Sequence, residues 1–90
     1  MYTILYNEQV VHDDIPKLDT INKKRIQKAI ESKLTMRPEI FGLRLNGTLY
    51  PYWKLRVGDY RVVFKIETLT VKVLAIGHRS TIYSLSTRRI

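Results

Sequence analysis

Basic side chains flank one predicted tight turn, and their spacing suits the binding of a phosphate group. Lys54 and Arg56 lie two positions apart, so on a β-strand both project from the same face of the sheet. If Gly58–Asp59 forms a two-residue hairpin turn, the returning strand brings Arg61 beside them. Cations this close repel one another unless an anion binds between them. The alternative is a solvated basic sheet edge that resists edge-to-edge association, and these residues alone favour neither interpretation.

Two further residues with suitable side chains, Arg79 and Tyr83, follow the most apolar predicted strand, Thr70–Ile76. That strand is expected at the centre of the sheet, next to the strand that carries Arg61. Arg79 and Tyr83 therefore join the basic hairpin in the strongest constellation of reactive side chains in the chain.

The positive charge is concentrated in the second half of the chain. The formal net charge is +8, from sixteen Lys and Arg against eight Asp and Glu. Residues 1–40 contain seven basic and six acidic side chains, whereas residues 41–90 contain nine and two, so the two halves carry +1 and +7. A charge that served only solubility would be spread evenly. The imbalance therefore favours a phosphate-rich or acidic partner that contacts the second half.

The composition argues against several classes of protein. The chain has no cysteine, which excludes disulfides, thiolate metal sites and thiol nucleophiles. Its two histidines, His12 and His78, lie far apart and outside any metal-binding motif, so we expect no metal and no other cofactor. No apolar run approaches the roughly 20 residues that cross a bilayer, and residues 1–11 do not resemble a signal peptide. We therefore expect a cytoplasmic protein without membrane contact.

The periodicity of the apolar residues predicts which elements position these side chains. The spacing is helical in the first half and alternates after Phe41. In chain order, the predicted elements are a strand at Tyr2–Leu5, a short helix at Glu8–Ile15, a longer helix from Asp19 or Thr20 to just before Pro38, and strands at Tyr52–Val57, Tyr60–Glu67 and Thr70–Ile76.

Helices followed by a strand meander predict one α+β domain over residues 1–90. We expect the N-terminal strand and a helical hairpin to pack on one face of a three- to four-stranded antiparallel sheet, with the excess positive charge on the other face. The basic run Lys23–Lys28 is expected to be a solvated helix face, with a contact to ribosomal RNA as the alternative. Arg88 and Arg89 are expected to form a mobile basic tail or an extra phosphate contact.

Three motifs together resemble the RelE/ParE superfamily of bacterial and archaeal toxins. Trp53–Phe64 is similar to the signature hairpin of that superfamily, and Leu45–Gly47 is similar to the short element that precedes it. Ile76–Tyr83 resembles its C-terminal motif, Gly-His-Arg followed by a tyrosine four residues later. The resemblance covers nearly the whole chain. It is closer to the RelE branch, because the ParE branch usually lacks the pair matched here by Arg79 and Tyr83.

The resemblance implies a RelE-like fold and the toxin half of a type II toxin–antitoxin pair. RelE-branch toxins cleave mRNA in the ribosomal A site without a metal: a 2′-hydroxyl attacks the adjacent phosphate and leaves a 2′,3′-cyclic phosphate. The implied partners are a cognate antitoxin and mRNA on a 70S-type ribosome. Direct contact with DNA is not expected, except through the antitoxin complex.

Roles for individual residues also follow from the resemblance. Lys54 and Arg61 match residues that bind and stabilise the scissile phosphate. Arg79 matches an arginine proposed as general acid or as a clamp on the transition state. Tyr83 matches a tyrosine that stacks on or orients the cleaved nucleotide, which agrees with the preference of unstacked RNA bases for aromatic faces. The residues expected to bind RNA around this centre are Arg56, Arg44 and Tyr52.

The identity of the general base stays open at this point. The best-known members of the superfamily carry a lysine two positions before the residue matched by Lys54, and here that position is Tyr52. A tyrosine with an ordinary pKa near 10 acts as a base only where neighbouring cations lower that pKa. His78 is the other candidate, because an imidazole pKa near 6.5 suits proton transfer at neutral pH.

Two other functions keep the same fold and charge. One is a ParE-like toxin that inhibits DNA gyrase without cleaving nucleic acid. The other is an RNA- or ribosome-binding module without nuclease activity. The ParE-like toxin does not require Lys54, Arg79 and Tyr83 as a set, and substitution of Arg79 or Tyr83 separates both functions from the nuclease.

Overall fold

The computed structural model describes residues 1–90 and is organised around one five-stranded mixed β-sheet. The strands are β1 (Thr3–Tyr6), β2 (Leu43–Arg44), β3 (Trp53–Val57), β4 (Tyr60–Glu67) and β5 (Thr70–His78). Their spatial order is β1-β5-β4-β3-β2, and only the β1–β5 pair is parallel.

The helical segments come mostly from the first half of the chain. They are a π-helical turn at Val10–Asp14, a 3₁₀ turn at Ile15–Lys17, helix α1 (Thr20–Ala29) continued by a wider turn at Ile30–Leu34, the single turn α2 (Pro38–Phe41), a 3₁₀ turn at Gly47–Leu49, and helix α3 (Ile82–Arg89). None of the helices has the length and apolar character needed to cross a membrane.

The α+β class and the helical hairpin on one face of the sheet are confirmed. The strand count was wrong: the sheet has five strands, because the unpredicted strand β2 pairs with β3 at one edge, and β1 pairs with β5 from Thr3↔Thr70 to Tyr6↔Val73 instead of lying on the sheet face. The β1–β5 pairing is parallel, so the sheet is mixed and not purely antiparallel. This pairing joins strands that the helices separate in sequence, and alternation within a short strand does not identify such a distant partner.

The main core lies between the helical hairpin and one face of the sheet, which we call the helix side. Asp19 begins α1, since its Oδ1 accepts a hydrogen bond of 2.8 Å from the backbone N–H of Asn22. The helical segments and the sheet contribute twelve buried apolar side chains, namely Val10, Leu18, Ile26, Ile30, Leu34, Leu55, Val57, Val62, Phe64, Val71, Val73 and Ile76.

A smaller core lies on the opposite face, which we call the site side of the sheet. Val63, Leu74 and Ala75 of the sheet are buried there against Ile82 of α3. The predicted elements end with the strand Thr70–Ile76, but the following segment contains helix α3, which covers part of the second face. The sheet is therefore sandwiched, and its positively charged face is only partly open.

A β-bulge in β5 sets which of its residues point to which side. Val63 pairs with Ala75 but Phe64 pairs with Val73, which leaves Leu74 as an extra residue. Before the bulge, Val71 and Val73 face the main core; after it, Ile76 does so. One added residue exchanges the two faces of a strand, so everything beyond Leu74 is oriented oppositely to the pattern that precedes it.

Beyond the end of β1, side chains form the hydrogen bonds that a neighbouring strand would otherwise form with β5. Asp14 Oδ2 accepts 2.9 Å from the Ile76 N–H, and Arg89 Nη1 donates 3.1 Å to the Leu74 carbonyl. Arg89 also binds both carboxylate oxygens of Asp14, at 2.7 and 2.8 Å, and the two side chains are only 5% and 3% exposed. The expectation of a mobile tail or phosphate contact is therefore wrong for Arg89, because its charge is neutralised within the fold.

Candidate phosphate-binding site

The β3–β4 hairpin places Lys54, Arg56 and Arg61 on the site side of the sheet. Arg56 lies directly opposite Arg61 across the two strands, and Lys54 lies opposite Val63, whose side chain is in the smaller core. The two strands are joined at Gly58–Asp59, as the sequence predicts. Gly58 adopts a φ of +60°, a left-handed conformation that favours glycine. The turn therefore fixes the register that brings the three cations together.

Arg61 is almost fully buried, at 7% exposure, and its charge is not matched by a carboxylate. Its Nη1 donates hydrogen bonds of 2.9 Å to the Gly58 carbonyl and 2.8 Å to the Tyr60 carbonyl. None of the ion pairs in the molecule includes Arg61. A buried charge without a counter-ion is costly. The two carbonyls fix the guanidinium in place, and an anionic ligand would complete its environment.

Arg79 lies beside the same turn. Its backbone N–H donates 2.8 Å to the Asp59 carbonyl, and its Nε is 3.8 Å from Asp59 Oδ1. Both side chains are largely exposed, so this long ion pair stabilises the fold little. The backbone contact thus positions Arg79 at the hairpin, while its guanidinium stays accessible.

Tyr83 reaches the site from helix α3. Lys54 Nζ lies 5.6 Å from the centre of the Tyr83 ring, within the range of a cation–π interaction. The half-buried Tyr83 side chain packs against the smaller core, next to Ile82. We define the hairpin site as the five residues that these contacts bring together: Lys54, Arg56, Arg61, Arg79 and Tyr83.

His78 is not part of this arrangement. Its ring packs edge-on against Tyr60 with centroids 5.6 Å apart, and Tyr60 packs on the main core. His78 Nδ1 also accepts 3.1 Å from the Ser80 N–H. His78 pairs with Tyr60, whereas the β5 partner of Arg61 is Gly77. The imidazole therefore lies on the helix side, across the sheet from Arg61.

Arg44 is also separated from the hairpin site. It pairs with Trp53 at the β2 edge, and its guanidinium lies 5.1 Å from the ring centres of both Tyr50 and Trp53. Trp53 packs on the main core and stacks on Phe64, so this pairing places Arg44 on the helix side. Its position is that of a cation held between two aromatic rings at the far edge of the sheet.

Tyr52 lies on the site side, two positions from Lys54 along the chain. Its ring packs against the smaller core, and Lys65 Nζ lies 5.8 Å from the ring centre. A hydrogen bond to Glu67, followed by the attraction to Tyr52, raises the pKa of Lys65. Tyr52 therefore extends the basic surface from Lys54 away from the hairpin turn.

One further residue at the hairpin belongs to the run that we expected to be a solvated helix face. Arg25 of α1 extends to the turn, and a Cβ added to Gly58 would lie 3.0 Å from its Nη2. No local pattern predicts this contact, because it depends on how α1 crosses the hairpin. No group of three or more His, Cys, Asp and Glu side chains is arranged to hold a metal ion.

Comparison with known proteins identifies relatives of this chain. The family model described as the ParE toxin of the type II toxin–antitoxin system parDE matches residues 10–83. No curated protein sequence matches.

Several solved structures share the fold. One is the toxin–antitoxin complex RelBE2 from Mycobacterium tuberculosis, with a TM-score of 0.80 and 25% identity over 88% of this chain and 92% of that chain. The RelB–RelE antitoxin–toxin complex from Methanococcus jannaschii has a TM-score of 0.69 and 23% identity, covering 90% and 96%. A free mutant of the Escherichia coli toxin RelE has a TM-score of 0.65 and 23% identity, covering 99% and 97%. The predicted RelE-like fold is confirmed.

Proposed function

This chain belongs to the ParE toxin family of type II toxin–antitoxin systems, within the RelE/ParE superfamily, and from that premise we propose that it is an endoribonuclease. Its substrate is mRNA in the A site of a 70S-type ribosome, which places its action in the cytoplasm, and cleavage needs no metal. The observation that carries the proposal is the hairpin site, where buried Arg61 presents a fixed guanidinium without a carboxylate. A site that served only solubility would not bury a cation in this way.

The reaction is an internal transfer at phosphorus. The 2′-hydroxyl oxygen forms a bond to the adjacent phosphorus, and the bond from phosphorus to the 5′-oxygen breaks. The products are a 2′,3′-cyclic phosphate and a 5′-hydroxyl. Lys54 and Arg61 stabilise the charge that develops on the phosphate oxygens. Arg79 donates the proton to the departing 5′-oxygen or clamps the transition state, and Tyr83 stacks on the nucleotide base.

Of the two candidates for the general base, the geometry favours Tyr52. It shares the site side of the sheet with Lys54, whereas His78 packs on Tyr60 across the sheet. Tyr52→Phe is therefore expected to lower the cleavage rate, and His78→Ala is expected to leave it nearly unchanged. The reverse result would assign the base to His78.

We also propose a cognate antitoxin as the protein partner. Two of the similar solved structures are toxin–antitoxin complexes, which supports this partner for the present chain. An acidic or amphipathic segment that covers Arg61 and Arg79, or that displaces Tyr83, would silence the site. DNA would be contacted only through the antitoxin complex.

Cleavage mapping in a purified translation system tests the nuclease function. The 5′ ends of a defined mRNA are mapped with wild-type protein, Arg79→Ala, Tyr83→Ala and the control Lys28→Ala, whose side chain is exposed on α1. Wild type and Lys28→Ala are expected to cut within A-site codons only when ribosomes are present. The two site variants are expected to bind ribosomes without cutting. Cleavage that survives in both site variants would refute the mechanism.

The family model that matches the chain is named for ParE, and this favours a second candidate function. A ParE-like toxin would inhibit DNA gyrase and leave mRNA intact. Supercoiling by purified gyrase distinguishes the two, since the nuclease is expected to leave supercoiling unchanged. A protein that binds ribosomes but neither cuts mRNA nor inhibits gyrase would be an RNA-binding module.

A further inference from the structure

Arg25, a member of the basic run on α1, reaches the hairpin turn. Atoms Nη2 and Nη1 of its guanidinium lie 3.0 and 3.1 Å from the position of a Cβ on Gly58. Lys24 and Lys28 instead border a shallow surface with Gln27, on the outer face of the helix. Neighbouring cations in the sequence therefore occupy different environments.

Gly58 permits this contact as well as the turn. Its φ of +60° favours a residue without a side chain, and the missing Cβ leaves room for the Arg25 guanidinium. The other glycine with a positive φ, Gly47 at +61°, has no atom within 4 Å of its Cβ position. The backbone favours glycine at both positions, but only at Gly58 does a neighbouring cation lie close to the Cβ position.

Arg25 and Arg61 approach Gly58 from opposite sides of the sheet. Arg61 Nη1 lies 2.9 Å from the Gly58 carbonyl on the site side, while α1 packs on the helix side. Both guanidinium groups contact the same residue, so they are separated by at most roughly 9 Å, about one Debye length at physiological ionic strength. Arg25 forms no ion pair, and Asp59 of the turn is paired with Arg79.

We propose that Arg25 binds a second phosphate of the RNA, on the helix side of the β3–β4 hairpin. The strand crosses the tip of the hairpin, with the scissile phosphate at Arg61 and Arg79 and a neighbouring phosphate at Arg25. The inference rests on the nuclease function and adds a binding position to it. A nucleic-acid backbone fits because it supplies anions at a regular short spacing, and a guanidinium binds phosphate in a bidentate manner.

The salt dependence of RNA binding tests this inference directly. The probe is a short single-stranded RNA with a 2′-deoxy group at the scissile nucleotide, which blocks cleavage but keeps every phosphate. For Arg25→Ala, the slope of log K against log salt is expected to become shallower by about 0.7, the value for one phosphate contact to a single strand. Affinity at moderate salt is expected to fall by about the same factor for every RNA sequence.

Lys24→Ala is the matched control, because it removes the same charge from the adjacent position on the outer face of α1. Its slope is expected to equal that of the wild type, while Arg25→Lys is expected to recover part of the lost affinity. In the translation system, Arg25→Ala is expected to raise KM with little change in kcat, as for a contact made equally in ground and transition states.

Equal slopes for Arg25→Ala and wild type would overturn the inference, even if the wild type cleaves mRNA normally. So would equal effects of Arg25→Ala and Lys24→Ala, or a wild type that does not bind the RNA. A loss of affinity for an acidic antitoxin with unchanged RNA binding would assign Arg25 to the protein partner instead. A slope change without any cleavage by wild type would support the phosphate contact and refute the nuclease.

Discussion

Two regions of the molecule bury an arginine side chain, but only one of them provides a carboxylate to neutralise its charge. At the β5 edge, the side chain of Arg89 is 5% exposed and binds both oxygens of Asp14. At the hairpin tip, Arg61 is 7% exposed and binds only the carbonyls of Gly58 and Tyr60. The charge at the β5 edge is balanced inside the protein and serves the fold. The charge at the hairpin tip is held in place without a counter-ion, which suits a site that binds an anion.

The largest effect on stability is expected from removing one partner of the Arg89–Asp14 ion pair. Arg89→Met leaves the Asp14 carboxylate buried without its partner, which should lower the free energy of unfolding by about 3–5 kcal/mol. Chemical denaturation measures this loss. The double variant Asp14→Leu/Arg89→Met removes both charges and should recover part of the stability, while the Ile76 N–H and the Leu74 carbonyl still lack their side-chain partners. A single variant that loses less than about 1 kcal/mol would show that the pair contributes little.

Substitution of Arg61, which has no counter-ion, is expected to affect activity more than stability. Arg61→Met should slow mRNA cleavage about 10²- to 10³-fold, since it removes a fixed donor from the developing phosphate charge. Its free energy of unfolding should change less than that of Arg89→Met, because no buried carboxylate is left behind. Single-turnover cleavage and denaturation are measured on the same samples. A large loss of stability with normal cleavage would mean that Arg61 serves the fold.

A substitution at the hairpin turn tests whether the arrangement of cations around Arg61 depends on Gly58. Gly58→Ala should lower the free energy of unfolding by about 1–2 kcal/mol through its positive φ, and its added Cβ should shift the Arg25 guanidinium by a few tenths of an ångström. Gly47→Ala is the control, since it has the same strain without a neighbour in contact. RNA affinity should fall for Gly58→Ala and be retained for Gly47→Ala. Equal affinities would show that RNA binding does not depend on how closely the Arg25 guanidinium approaches Gly58.

The smallest effect on stability is expected at Asp19, whose carboxylate is exposed, in contrast to that of buried Asp14. The backbone N–H of Asn22 lowers the pKa of Asp19 below its usual 3.8. A lowered pKa stabilises the folded state above pH 3.8, and this contribution is lost as the pH falls through the folded pKa. Asp19→Asn keeps a capping oxygen but does not titrate. Melting temperatures between pH 5 and pH 2 should therefore fall slightly less for Asp19→Asn, and identical curves would contradict this prediction.

Local patterns were sufficient to predict the hairpin half of the site. The alternation around Lys54, Arg56 and Arg61, together with the turn at Gly58–Asp59, depends on residues close in sequence. The cap at Asp19 was likewise recognisable, because it depends only on the following turn of helix. These features are specified within a few residues, so one sequence suffices to locate them.

The positions of His78 and Arg89 depend on contacts between distant segments. The extra residue at Leu74 reverses the alternation of β5, so it puts His78 on the helix side, away from Arg61. Both bulge neighbours are apolar, and the sequence around them shows no irregularity. Arg89 finds its partner Asp14 only because β1 ends before the end of β5, a detail of sheet pairing that no local pattern indicates.

Asp14 and Arg89 are 75 positions apart, and that separation has a kinetic consequence. A contact between such distant residues forms only after the intervening chain has become compact, since loop closure is unfavourable until then. We therefore expect α3 to dock late in folding and to detach early during local unfolding. Because Tyr83 lies on α3, the hairpin site would be the last part of the molecule to assemble. The amide of Ile76, whose hydrogen bond to Asp14 depends on this docking, reports the event by its hydrogen-exchange rate.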